Sequence, residues 1–90
     1  MNKLRRKHIA DLSDRILAAQ ANLEELLSEL EEIRDDEQEA LDNIPESLEG
    51  TERYEAAGAA VDALDDAYDT LEEASSNLED VISSLDDAAE

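Results

Sequence analysis

Apolar residues recur along this chain at alternating spacings of three and four, in two long stretches separated by one interruption. In the first, Ile9, Leu12, Ile16, Ala19, Leu23, Leu26, Leu30, Ile33 and Ala40 mark a seam, with a polar break at Glu37. In the second, Tyr54, Ala57, Val61, Leu64, Tyr68, Leu71, Ser75, Leu78, Ile82, Leu85 and Ala89 continue the same alternation. Seven residues are two helical turns, so each position of such a repeat stacks on its own face, and the seam predicts amphipathic helices that pack along a narrow stripe. Leu17 and Leu27 lie off the strict seam of the first helix and broaden its apolar face.

The last third carries the most regular form of the pattern. Leu64-Asp65-Asp66-Ala67, Leu71-Glu72-Glu73-Ala74, Leu78-Glu79-Asp80-Val81 and Leu85-Asp86-Asp87-Ala88 each place a leucine, two carboxylates and a small apolar residue in order. One flank of the seam therefore carries Asp65, Glu72, Glu79 and Asp86, and the other carries Ala60, Ala67, Ala74, Val81 and Ala88. In the first helix, Glu24-Glu25 and Glu31-Glu32 repeat the carboxylate doublet.

Between the stretches stands Asp42-Asn43-Ile44-Pro45-Glu46-Ser47-Leu48-Glu49-Gly50-Thr51. Pro45 disfavours helix at the residue before it, and is suited to begin a short helical turn over Ser47 and Leu48. Gly50 permits a left-handed backbone, and Thr51 suits the cap of a following helix. These signals predict helix one over about residues 3–42, a connector over 43–51 and helix two over about 52–89, in a single domain. Residues 1–8 offer no loop signal and are expected to be the frayed start of helix one. Two helices of matched length on a short connector predict an all-α, antiparallel two-helix coiled-coil hairpin. A lone hairpin buries one stripe per helix and is marginal. Ala60, Ala67, Ala74 and Val81, with Leu17 and Leu27, are therefore expected to pack against a second copy, giving a homodimeric four-helix bundle. The pattern does not by itself exclude a parallel or domain-swapped pair of straightened rods.

Composition restricts the core. Of the 90 residues, 41% are hydrophobic but only 2% aromatic, so Leu, Ile and Ala must build it. Tyr54 and Tyr68 are expected as seam residues whose hydroxyls reach the edge. There is no cysteine, which excludes disulfides and zinc–thiolate sites. No apolar run approaches the ~20 residues of a membrane span, and Asp11, Asp14 and Arg15 interrupt any export-like segment after the basic start. A cytoplasmic protein is the expectation.

Charge changes the picture most. Seven bases and 27 acids give a net charge of −20. Residues 1–7 carry four bases and no acid; residues 8–90 carry three bases and 27 acids, a net −24. The bases that begin helix one and Asp86, Asp87 and Glu90, which end helix two, both oppose the helix dipole, so a hairpin that sets these ends side by side lets each offset the other. Soluble rods ordinarily alternate acid and base at i and i+4, which stabilises a helix by about 0.2–0.5 kcal/mol per pair. This chain forgoes nearly all such pairs, having only Arg15, Arg34 and Arg53 after residue 7. Over a rod of ~60 Å the excess amounts to one charge per ~2.5 Å. Duplex DNA carries one per about 1.7 Å, and a side-by-side dimer, at ~1.25 Å, would bracket it. Such a field repels nucleic acid and anionic membrane and attracts basic surfaces. The candidate contact residues are Asp65, Asp66, Glu72, Glu73, Glu79 and Asp80, followed by Glu24, Glu25, Glu31 and Glu32.

Other chemistry finds little footing. Asp62, Asp65, Asp66 and Asp69 cluster on adjacent turns, but a straight helix does not wrap oxygens around calcium as a glycine-containing loop does. No Glu-x-x-His pair is present for a bundle-core metal site. The one histidine, His8, is expected to pair with Asp11 at the surface. No phosphate loop or nucleophile motif occurs, and a non-enzyme without cofactor or metal is expected.

The connector Asp42 to Leu48, followed by Gly50-Thr51-Glu52-Arg53-Tyr54-Glu55, resembles a segment of short acidic coiled-coil proteins of bacteriophages and prophages. Those also begin with a basic stretch like Met1 to Lys7 here. The resemblance implies a phage context, in which small acidic proteins are often inhibitors of host defence, including anti-restriction and anti-CRISPR proteins, some of them DNA mimics. The expectation is an inhibitor that sets rows of carboxylates against the basic nucleic-acid site of a bacterial defence enzyme. The alternative is a structural or assembly coiled coil whose charge serves only solubility.

Overall fold

A computed structural model describes residues 2–90. Two long helices, α1 over Lys3–Asp42 and α2 over Glu52–Ala89, flank a single 3-10 turn at Glu46–Leu48. The rod measures 70 × 15 × 14 Å. Gln20 meets Ser75, Arg34 meets Asp65 and Arg6 meets Glu90, so partners climb along α1 as they descend along α2: the hairpin is antiparallel.

Each boundary has a local cause. Asn2 accepts the amide proton of Arg5 at 2.8 Å, which caps α1. The start of the chain is thus a capped helix and not a frayed one; Met1 lies outside the described residues. At the far end, Asn43 donates to the Glu39 carbonyl at 3.0 Å, and Pro45 opens the 3-10 turn. Gly50 takes φ +89°, which an L side chain rarely adopts. Thr51 Oγ1 donates to the Leu48 carbonyl at 2.7 Å and accepts from the Tyr54 amide at 3.3 Å. One hydroxyl therefore closes the connector and starts α2, where Glu52 and Glu55 suit the positive end of the dipole.

The seam of α2 runs where the sequence puts it: Val61 and Ser75 are buried, and Leu64, Tyr68, Leu71, Leu78, Ile82 and Leu85 are half-buried. The seam of α1 differs. Ile9, Ile16, Leu23 and Leu30 face α2 as expected, but their companions are Ser13, Gln20, Leu27, Arg34 and Leu41. Ala19, Leu26, Ile33 and Ala40, expected inside, are exposed, and Leu27, expected off the seam, lies in it. The helix is turned by about one residue position. Two polar contacts across the pair accompany the turn: Gln20 Nε2 donates to the Ser75 carbonyl at 3.2 Å, and the Arg34 guanidinium binds Asp65. A straight helix also carries a seven-residue repeat ~20° per heptad across its surface. Along the row Leu12, Leu26, Ile33, exposure rises from half-buried to 42% and then 55%, as that drift requires.

The interior is consequently thin. Val61, at 5% exposed, is the one buried hydrophobic residue among those described, beside buried Ser13, Gln20 and Ser75. Among the described residues Ser13 Oγ finds no hydrogen-bond partner, a deficit of ~1–3 kcal/mol.

The two chain ends lie together, with Arg6 Nη2 3.5 Å from the Glu90 carbonyl. Among the described residues, no basic side chain of the first turns comes within ion-pair distance of Asp86 or Asp87, so any offset acts through the field and not through contact. Asp11 pairs with Arg15 at 3.5 Å, one turn on, and not with His8.

Candidate functional site

At 100° per residue, a hairpin of two antiparallel helices has two broad faces, one on each side of the seam. The first carries Glu24 and Glu31 from α1 and Asp65, Glu72, Glu79 and Asp86 from α2. All are exposed except Asp65, which is half-buried. The rows meet around Tyr68. Its hydroxyl is held above the ordinary tyrosine range, first by partial burial and then by the nearby carboxylates Glu31, Glu72 and Asp69. Glu31 stands on α1 and Glu72 on α2, so carboxylates far apart in sequence converge on one ring. A shallow open depression of about 250 Å³, lined by Glu31, Arg34, Asp65, Tyr68 and Asp69, lies there.

Arg34 is the exception within this acidic surface. Its guanidinium binds Asp65 across the helices and Asp35 at 3.0 Å beside it, and those hydrogen bonds hold its proton more tightly than usual. Asp65 is thereby engaged in the fold, while among the described residues Glu24, Glu31, Glu72 and Glu79 have no basic partner within 4.0 Å. Of the other candidate residues, Asp66, Glu73 and Asp80 line the outer edge of α2, and Glu25 and Glu32 the outer edge of α1. The ten expected contact residues are thus divided between one face and two edges. Leu17, expected on the flank with the alanines, projects on the acidic side instead and is 54% exposed.

The opposite face is different in kind. From α2 it presents Ala60, Ala67, Ala74, Val81 and Ala88, with Ala56, Ala63, Thr70, Asn77 and Ser84 beside them, ten positions without a charge. From α1 it presents Leu26 and Ile33. A groove of about 510 Å³ runs between the helices there, lined by Leu30, Asp66, Ala67, Thr70, Leu71 and Ala74.

Sequence reasoning found the carboxylate rows and the alanine strip, but missed the roles of Arg34, Leu26 and Ile33, since the rotation of α1 decides all three. Tyr68 carried a signal, as an aromatic ring one residue from an acid and four from another, but the Glu31 contribution comes from the other helix. Among the described residues no three His, Cys, Asp or Glu side chains converge as metal ligands. Among the described residues no helix is long and apolar enough to cross a membrane.

The convergence at Tyr68 is directly measurable. In a Tyr54→Phe protein, where Tyr68 alone reports, the tyrosinate absorbance should appear with a midpoint above the ordinary 10.0. Adding Glu31→Gln and Glu72→Gln should bring it down. Because the folded-state value is raised, this group's contribution to stability is intact below the ordinary value and is lost as pH rises through the folded one. A midpoint unmoved by Glu31→Gln would mean that the two helices' carboxylates do not meet there.

Compared with protein-family models, characterised proteins and solved structures, the chain matches none of them.

Proposed function

We propose that this protein is an acidic inhibitor that occupies the basic nucleic-acid site of a bacterial defence enzyme in the host cytoplasm, in the manner of a DNA mimic of the anti-restriction or anti-CRISPR class. The observation that carries the reading is the one-sided arrangement of carboxylates, Glu24 and Glu31 with Glu72 and Glu79, that have no basic partner among the described residues, on a 70 Å rod. Like charges at helical spacings cost stability, and keeping them aligned against that cost favours a use for the field over mere solubility. The rod is 70 Å long, so the 24 net charges of residues 8–90 come to one per ~2.9 Å. Pairing of two hairpins into a four-helix bundle, which belongs to this reading, brings the spacing to ~1.5 Å, close to the ~1.7 Å of duplex DNA.

The rod would displace condensed counterions from a basic channel much as DNA does, and no chemistry is asked of it. Binding should therefore fall steeply with salt. A nuclease captured from bacterial lysate on the immobilised protein, then purified, should lose ~10³–10⁵ in affinity between about 50 and about 200 mM salt if six to ten charges engage. Duplex DNA should compete for the same site. A flat salt response, or a ternary complex with DNA, would refute the mimic. The assembly reading, with charge for solubility only, would then stand.

A further inference from the structure

We infer that a second copy of this chain seats on the uncharged face, with α1 of each copy lying over α2 of the other. The inference rests on the reading that hairpins pair, and not on the reading that the charge inhibits an enzyme.

Three observations lead to it. First, the single hairpin buries its residues in the wrong order for a monomer. Ser13, Gln20 and Arg34 are turned toward α2, while Leu26 and Ile33 are left 42% and 55% exposed. The chain exposes 6678 Å², against about 5,200 Å² for a compact monomer of its mass. A face of 70 × 15 Å offers roughly 1,000 Å², and a specific interface needs about 800 Å² per partner.

Second, charge is segregated. Two chains of net −20 should repel. Yet ten α2 positions on this face, from Ala56 to Ala88, carry no charge; charged groups reach it at Glu37 and Arg53 near the connector, at Asp66 beside the groove, and at Arg15, Glu29 and Asp36 along the α1 rim. The carboxylate rows singled out above lie on the other face or on the outer edges, with Asp66 alone of them bordering the groove. Apposing the uncharged faces keeps those rows in water and as far apart as the bundle allows.

Third, the face is self-complementary. Its α1 half is bulky, with Leu26 and Ile33, and its α2 half is small, with Ala60, Ala63, Ala67 and Ala74. Large residues interdigitate best with small ones. A two-fold axis parallel to the rods sets the bulky half of one copy over the small half of the other. The perpendicular alternative sets bulk on bulk and leaves the alanine halves apart. The parallel axis puts both connectors at one end and brings Ile33 level with Ala63 and Ala67 of the other copy. It also directs the two acidic faces outward on opposite sides, so that the dimer presents two binding surfaces.

Sedimentation should give twice the 9.9 kDa chain mass at micromolar concentration. A Leu26→Gln, Ile33→Gln protein, with charge unchanged, should sediment as a monomer that keeps its helical circular dichroism. Glu31→Gln with Glu72→Gln should leave the dimer intact. Since the natural chain has no cysteine, the geometry can be tested with single cysteines. An Ile33→Cys protein mixed with an Ala67→Cys protein should oxidise to a covalent pair more readily than either alone. A wild-type monomer at high micromolar concentration would overturn the inference. So would dimers that survive Leu26→Gln with Ile33→Gln, or faster self-crosslinking of Ile33→Cys. If instead the salt-dependent capture fails while the dimer forms, only the inhibitory reading is lost.

Discussion

A Val61→Asp protein should be largely unfolded at room temperature under conditions where the parent is helical. Val61 is the most deeply buried apolar side chain of the hairpin, at 5% exposed, and neighbouring positions share its load poorly because Gly58 and Ala57 have little to bury. A small domain is stable by ~0.05–0.15 kcal/mol per residue, and a rod with so thin an interior belongs at the low end, near 5 kcal/mol. An uncompensated buried charge costs ~3–5 kcal/mol, which consumes that margin. Here the new carboxylate also enters a chain already at −20, and the base one turn away, Arg34, is already held by Asp65 and Asp35. Val61→Ala should be far milder, at about 1.6 kcal/mol for two carbon groups, and Val61→Asn should fall between. Thermal melts followed by far-ultraviolet circular dichroism distinguish these cases. If Val61→Asp melts like the parent, the packing between α1 and α2 is not what stabilises the helices, and the hairpin itself is in doubt.

The connector and α2 were legible in the sequence because their signals are local. Pro45, Gly50 and Thr51 act on their own backbone or on that of residues within a turn. Asn2 carried the same kind of signal, and its cap could have been read from its position before the first helical residues. In α2 the apolar residues leave one choice of seam, since the leucine row is bounded by carboxylates on one side and by small residues on the other. In α1 three adjacent heptad rows hold apolar residues: one with Ile9, Ile16, Leu23 and Leu30, one with Leu12, Leu26 and Ile33, and one with Leu27 and Leu41. Two seams can be drawn through them, and hydrophobicity favours the one that the structure does not use. The choice turns on Gln20 reaching the Ser75 carbonyl and Arg34 reaching Asp65, contacts between residues 55 and 31 positions apart that no periodicity reveals. The same rotation distributes the carboxylates. It places Glu24 and Glu31 beside Glu72 and Glu79, and sends Leu26 and Ile33 to the face with the alanines. Reading the doublets as equivalent pairs therefore merged a face with an edge.

That distinction separates recognition by a face from attraction by a field, and two proteins of equal charge should resolve it. Changing Glu24, Glu31, Glu72 and Glu79 to Lys alters the acidic face; changing Glu25, Glu32, Glu73 and Asp80 to Lys alters the outer edges. Four reversals add eight to the charge in each case, taking −20 to −12. Lysine is a good helix former, and each change relieves like-charge crowding, so both proteins should keep their helical circular dichroism. A long-range field depends on total charge, and would weaken equally in both. Close pairing with a basic channel depends on which carboxylates enter it. Each reversed residue then both loses its partner and repels it. The face variant should lose at least about a hundredfold in affinity for the captured nuclease, ~2.8 kcal/mol, and the edge variant about tenfold. Their salt slopes should diverge as well, because only the face variant removes charges that release counterions in the bound state. Equal losses would replace the face by a diffuse field. Undiminished binding by both proteins would remove the carboxylates from recognition altogether, and would leave the uncharged face and its packing as the part of the molecule with a function.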